Sequence, residues 1–201
     1  MLRIILVRHG ETDYNKERRI QGGTSDIPLS EIGRKQALAL GQRLSREEIA
    51  AIYSSPLQRA LDTAKAIAGY HSLEVITLPS LKEINVGSLE GVLAATLGQR
   101  FDTYLCTNGL QKLPYGGESL EDVQLRAWQT VMELKEKHDG QTIVLVTHYF
   151  VVMALICRVL NMQLADICRL RLGTGTLSAF SIDGDDLAHL QYFNDSFHIK
   201  A

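Results

Sequence analysis

Leu2-Arg3-Ile4-Ile5-Leu6-Val7 is an apolar run rich in β-branched residues, and it stops at once on Arg8-His9-Gly10-Glu11-Thr12. Such a run suits a central strand buried on both faces; a half-exposed strand would alternate apolar with polar residues. Thr142 to Val146 repeats the pattern and delivers Thr147-His148 at its end, where a helix from about Phe150 to Leu160 begins. Two buried strands that each end on a histidine set the frame for the rest of the chain.

Ser30 caps a predicted helix to about Ser45, with Ile32, Leu38, Leu40 and Leu44 as its apolar stripe, and Ala50 to Tyr53 reads as a short strand. Ser55, Pro56 and Gln58 fit the cap, first-turn and capping-box positions of a helix to about Ala68. Leu73 to Leu78 is a further strand, Pro79 to Gly91 is irregular, and a helix is expected around Ala94 to Tyr104. Ser119 caps a helix whose Leu120, Val123, Ala127, Val131 and Leu134 keep helical spacing to about Lys137. Late strands near Leu177 to Ile182 and Leu187 to Tyr192 flank the turn-like Asp183-Gly184-Asp185. Strands alternating with helices predict a three-layer α/β/α fold with a mostly parallel sheet, and ligands in such sheets bind beyond the carboxyl ends of the strands. No repeat or linker marks a boundary, so residues 1–201 read as one domain.

The 201 residues are 45% apolar and 22% charged, with a formal charge of −2, which excludes a disordered chain and gives no sign of a nucleic-acid or anionic-membrane surface. Cys106, Cys157 and Cys168 are odd in number and lack CxxC spacing, against both a disulfide framework and a structural zinc site. The N-terminal apolar run is too short for a secretory signal, and Arg158 interrupts the apolar stretch around Val151 to Ile156, so a cytoplasmic soluble protein is expected. His71, His138 and His189 read as solvent-facing, and no HxH or HExxH spacing suggests a metal.

Arg8 and His9 leave a buried strand on a rigid platform, Arg59 falls in the first turn of a helix, and His148 sits beside helix N-terminal amides that favour an anion. Taken together, Arg8-His9-Gly10-Glu11-Thr12 with Asn15, Gln21-Gly22, Pro28-Leu29-Ser30 and Ser54-Ser55-Pro56-Leu57-Gln58-Arg59-Ala60 with Thr63-Ala64 resemble the histidine phosphatase superfamily, which includes the phosphoglycerate mutases. The resemblance continues through Leu81-Lys82-Glu83, Gly87, Glu90-Gly91, Gly116-Gly117-Glu118-Ser119 and Val144 to His148, and covers essentially the whole chain.

The resemblance implies a phosphoglycerate mutase-like fold and a chemistry that meets the needs of a phosphomonoester: charge neutralisation, an in-line nucleophile and a proton for the leaving oxygen. By motif, His9 would become phosphohistidine, Arg8 and Arg59 would clamp phosphoryl oxygens, and a cationic His148 would stabilise charge on the transferred group. Glu83 would protonate the leaving alcohol and then activate water, which calls for a raised pKa. Asn15, Gln21 and Gly22 match positions that line the phosphate pocket, with Asn15 and Gln21 equally readable as loop-organising side chains, and Thr147 is expected to pack or bond locally. Tyr149 stands where many members have glycine, so its amide or its ring is placed to meet substrate, and Leu89 stands where many have tryptophan.

The segment from about residue 92 to 118 would form a lid. Between Glu90 and Tyr115 it offers one arginine, Arg100, and one lysine, Lys112, so a second anionic group would be poorly held and hydrolysis is favoured over mutase chemistry. The expected activity is a metal-independent, cofactor-free phosphatase of small phosphorylated metabolites, with α-ribazole phosphate and phosphoserine as candidate substrates. A 2,3-bisphosphoglycerate-dependent mutase and an inactive phosphate sensor are the alternatives. The tail Asn194-Asp195-Ser196-Phe197-His198 is expected to return towards the cleft. The residues leave the oligomeric state undetermined, a homodimer included.

Overall fold

The computed structural model describes residues 1–108, 111–113 and 116–199. Among them, six strands form one sheet: β1 (Leu2–Arg8), β2 (Ala51–Ser54), β3 (Val75–Thr77), β4 (Thr142–Thr147), β5 (Leu177–Ile182) and β6 (Ala188–Asp195). Their spatial order is β3-β2-β4-β1-β5-β6. β3, β2, β4 and β1 run parallel, while β5 is antiparallel to both β1 and β6. The sheet is thus mixed but mostly parallel, in keeping with the α/β expectation.

The helices are α1 (Asp13–Glu17), α2 (Glu31–Leu44), α3 (Gln58–Ala68), α4 (Phe101–Asn108), α5 (Leu120–Lys137) and α6 (Tyr149–Val159). Side chains alternate across the sheet. Ile4, Leu6, Ile143 and Leu145 join the core under α5 and α6, and Ile5, Val7, Val144 and Val146 join the one under α2 and α3. Strands covered on both faces have no polar side to present, which is why β1 and β4 read as unbroken apolar runs.

Several local expectations are corrected. In α2, Ile32 and Leu38 are exposed, and the buried face is Gly33, Ala37, Leu40, Gly41 and Leu44. Small residues win that face because α2 lies close against α3: a Cβ on Gly41 would stand 2.6 Å from the Ala66 carbonyl oxygen. Ser55 does not cap α3, which starts at Gln58; its first amide is bonded instead by Asp26 Oδ1 at 2.6 Å. The expected helix at 94–104 divides into a 3-10 turn, Ala94–Leu97, and α4, separated by Gly98 at φ +67°. α1 lies in the polar stretch after the first strand, where no helical periodicity signals it; a capping box between Thr12 and Asn15 supports it.

His138 is buried rather than solvent-facing, with Tyr53 Oη at 2.8 Å from Nε2 and Gln141 Oε1 at 2.7 Å from Nδ1. The expected lid, 92–118, includes Gly109, Leu110, Pro114 and Tyr115, which lie outside the described residues. The tail does return: His198 Nε2 lies 2.8 Å from the Gly175 carbonyl, and the Gly175 amide bonds the His9 carbonyl at 2.9 Å.

Candidate active site

Register fixes the two strand-end histidines. Arg8 on β1 pairs with Thr147 on β4, and the His9 amide donates to the Thr147 carbonyl at 3.0 Å, so His9 and His148 emerge side by side. Their ring centroids are 5.1 Å apart, close to the spacing of adjacent strands, and both rings are buried.

His9 Nδ1 lies 2.7 Å from the Gly10 carbonyl. A carbonyl only accepts, so Nδ1 carries the proton and Nε2 keeps its lone pair. Burial, then the charges of Arg59 and Arg8, hold the ring's pKa well below the ordinary histidine value despite the Gly10 bond, which leaves a neutral imidazole suited to nucleophilic attack. His148 is lowered in the same way by burial, Arg59, His9 and Arg8, and neither of its ring nitrogens has a protein partner. A dianion beside it would act in the opposite sense and favour the cation.

Arg59 is fully buried. Its guanidinium donates to the Ser25 carbonyl at 2.8 Å and the Gly22 carbonyl at 2.9 Å, leaving Nε without a partner. Burial lowers its pKa to about 10, still far above neutrality. Arg8 donates to the Leu172 carbonyl at 2.7 Å and also keeps an unpartnered Nε. A third joint is Thr63, whose hydroxyl accepts from the Gly10 amide at 3.2 Å and donates to the Arg59 carbonyl at 2.7 Å, tying the His9 loop to α3.

Glu83 comes from the irregular stretch after β3 and is 4% exposed. The Ile84 amide donates to its Oε1 at 2.9 Å, and the Phe150 amide at the start of α6 lies 3.3 Å from both oxygens. Burial outweighs those bonds and the charges of Arg59 and Arg8, so the carboxyl pKa is raised. A proton held to higher pH is what a general acid requires.

A cavity of about 580 Å3 opens here, lined among others by Arg8, His9, Asn15, Gln21, Glu83 and Tyr149. The Asn15 side chain is engaged by the Thr12 amide at 3.1 Å, whereas Gln21 keeps a buried Nε2 without a partner. Gly22 stands behind the site: its amide is bonded by Glu90 at 2.6 Å and its carbonyl holds Arg59. The Tyr149 ring lies 5.0 Å beneath the Arg8 guanidinium, and its hydroxyl lies 3.4 Å from Asp102. Leu89 packs partly buried against the core. Thr147 is fully buried and bonds far from itself in sequence, donating to the Leu81 carbonyl at 2.7 Å.

Positive charge on the cavity wall extends beyond residues 90–115. Arg18 and Arg19, from the turn after α1, line the cavity together with Arg100 and Asp102. The local signal was the basic pair Arg18-Arg19 following Lys16, close after the His9 motif.

Known proteins resemble this chain in sequence and fold. The sequence profile described as the histidine phosphatase superfamily (branch 1) matches residues 4–196. An Arabidopsis thaliana protein named metal-independent phosphoserine phosphatase is 40% identical over 162 residues, 78% of this chain and 68% of its own length. A Yersinia pestis protein named probable phosphoglycerate mutase GpmB is 37% identical over 182 residues, 89% of this chain and 84% of its own. The structure of an Entamoeba histolytica phosphoserine phosphatase in complex with 3-phosphoglyceric acid superposes with a TM-score of 0.87 at 31% identity, covering 100% of both chains. The chain belongs to the histidine phosphatase superfamily, and it is a phosphoric monoester hydrolase.

Proposed function

We propose that the chain hydrolyses small phosphomonoesters in two steps through a phosphohistidine on His9. In the first, His9 Nε2 attacks phosphorus as the ester oxygen leaves with the Glu83 proton. In the second, the Glu83 carboxylate takes a proton from water, the water oxygen attacks phosphorus, and phosphate departs from His9. Arg8 and Arg59 neutralise the phosphoryl oxygens, and His148 becomes the cation that stabilises the transferred group. The observation that carries this reading is the Nδ1 bond from His9 to Gly10, which fixes one tautomer in a ring held neutral, in a site whose carboxyl, Glu83, has its pKa raised by burial.

Among the described residues, no group of three or more His, Cys, Asp or Glu could hold a metal ion, and no helix is long and apolar enough to cross a membrane. Turnover is proposed to persist in excess chelator, in keeping with the name of the Arabidopsis relative. The free thiols of Cys106, Cys157 and Cys168 fit a reducing compartment, and the cytoplasm is the proposed place of action.

The test is to quench the enzyme in alkali during turnover of labelled p-nitrophenyl phosphate and map the label. An acid-labile phosphoryl group on His9, enriched in Glu83→Gln and absent from His9→Ala, is the expected result. Label on another residue, or none in Glu83→Gln while turnover continues, overturns the mechanism.

A further inference from the structure

The cavity, at about 580 Å3, has the size of a site for a whole small molecule rather than for a phosphoryl group alone. Its chemistry divides in two. Arg8, His9 and Glu83 mark the reacting end; the rest of the polar wall is chiefly Arg18, Arg19, Arg100, Asp102 and Tyr149.

That second region is rich in positive charge. Arg19 is paired with Glu17 at 2.6 Å. Arg100 forks onto Asp102 with contacts of 2.9 and 2.6 Å, and Arg171 lies 3.5 Å from the same carboxylate. Asp102 has its side chain only 5% exposed. Burial works against its ionisation, yet the bonds from Arg100 and the Thr103 amide, with the charges of Arg100 and Arg171, hold its pKa below the ordinary value. Three guanidinium groups, those of Arg19, Arg100 and Arg171, thus meet two carboxylates, and Arg18, which lines the cavity, has no acidic partner among the described residues.

Arg18 is also placed at a conformational cost. It terminates α1 in the left-handed region at φ 57°, which a residue bearing a Cβ rarely adopts. The backbone is held there from both sides: the Arg18 amide bonds the Asn15 carbonyl at 3.2 Å, and the Arg18 carbonyl accepts from Ala94 at 3.0 Å. From this turn the exposed Arg18 side chain lines the cavity.

We propose that Arg18, together with Arg100, receives an acidic group on the leaving alcohol, a carboxylate or a second phosphate. The substrates are then acidic phosphomonoesters rather than esters of uncharged alcohols, which disfavours α-ribazole phosphate among the candidates. Asp102 is a positioning residue that holds Arg100 against the wall. This inference rests on the phosphatase reading and adds to it the chemistry of the leaving group.

The test compares kcat/KM on matched pairs: phosphoserine with O-phosphoethanolamine, 3-phosphoglycerate with glycerol 3-phosphate, and fructose 1,6-bisphosphate with fructose 6-phosphate. The first two pairs report a carboxylate, the third a second phosphate. p-Nitrophenyl phosphate is the common reference, and its His9-dependent turnover reports on folding and on the phosphatase reading independently. Wild type is expected to prefer the acidic member of at least one pair by about ten-fold or more, as a charge-assisted contact would give. Arg18→Ala and Arg100→Ala should each lower that preference several-fold, Arg18→Lys should retain part of it, and added salt should weaken it. Equal rates within every pair in wild type, or a preference untouched in Arg18→Ala, overturns the proposal while p-nitrophenyl phosphate turnover survives; loss of that turnover in wild type would defeat the phosphatase reading instead.

Discussion

Thr147 and Leu81 are joined by a hydrogen bond of 2.7 Å from a fully buried hydroxyl to a backbone carbonyl. One end lies next to His148 and the other lies two residues before Glu83, so this bond docks the strand that delivers the second histidine onto the loop that delivers the acid.

Thr147→Val keeps the shape but leaves the Leu81 carbonyl without its donor. A stability loss of about 1–3 kcal/mol is expected from the unsatisfied group. The informative readout is catalytic: a displaced Glu83 should slow esters of poor leaving alcohols more than p-nitrophenyl phosphate. A uniform slowing of both would assign Thr147 to stability alone.

The pH dependence follows from the directions of the shifts. His9 must be neutral, and burial with the charges of Arg59 and Arg8 holds its pKa well below the ordinary histidine value, so the acid limb of kcat/KM should fall below the usual histidine range. Glu83 must be protonated, and its pKa is raised, so the rate with a poor leaving group should decline as pH rises through that value. The alkaline limb should disappear in Glu83→Gln; its persistence there would exclude Glu83 as its source. Phosphate, as a dianion, raises the pKa of His148, so binding should take up a proton and tighten as pH falls. Calorimetry in buffers of different ionisation enthalpy reads the uptake directly.

Gly33 and Gly10 mark a close approach of α2 to the loop that follows His9. A Cβ on Gly33 would stand 2.0 Å from the Glu11 carbonyl oxygen, and one on Gly10 would stand 2.4 Å from the Gly33 carbonyl oxygen. The obstacles are backbone, so neither clash can be relieved by rotating a side chain. Gly33→Ala should cost about 1–3 kcal/mol or more and lower phosphate affinity, read by denaturant melts with and without phosphate. Wild-type stability in Gly33→Ala would mean that the two segments part freely.

The thiols should be slow to react. Burial pushes the Cys106 pKa up to about 12, assisted by its bond with Cys168, and raises Cys157 to about 11. Thiolate is the reactive form, so alkylation at pH 8 mapped by mass spectrometry should reach these two sites only on unfolding. Rapid modification of Cys157 in the native protein would contradict its burial.

What the sequence made legible was mostly local. Ser30 and Ser119 cap the helices they were assigned to because capping involves residues three apart, and β1 and β4 were readable because covered strands are apolar throughout. The five residues Arg8, His9, Arg59, Glu83 and His148 could be singled out because each stands in a motif. What escaped depends on distant partners. The Asp26 bond at the start of α3, the burial of His138 against Tyr53 and the long reach of Thr147 involve contacts between segments 32 to 85 residues apart. The arginines of the cavity wall come from the turn after α1 and from the start of α4, and linear proximity to Glu83 reveals only the second group.

The pairing of Arg8 with Thr147 also has a consequence for divergence. Because the two histidines follow paired residues on adjacent parallel strands, the sheet's own hydrogen-bond ladder serves as the ruler for the phosphoryl centre, and no loop has to measure that distance. The turn at Arg18 and the helix at Arg100 can be lengthened, recharged or replaced without disturbing the ruler, so a scaffold of this kind can exchange one leaving group for another while its phosphoryl chemistry stays fixed.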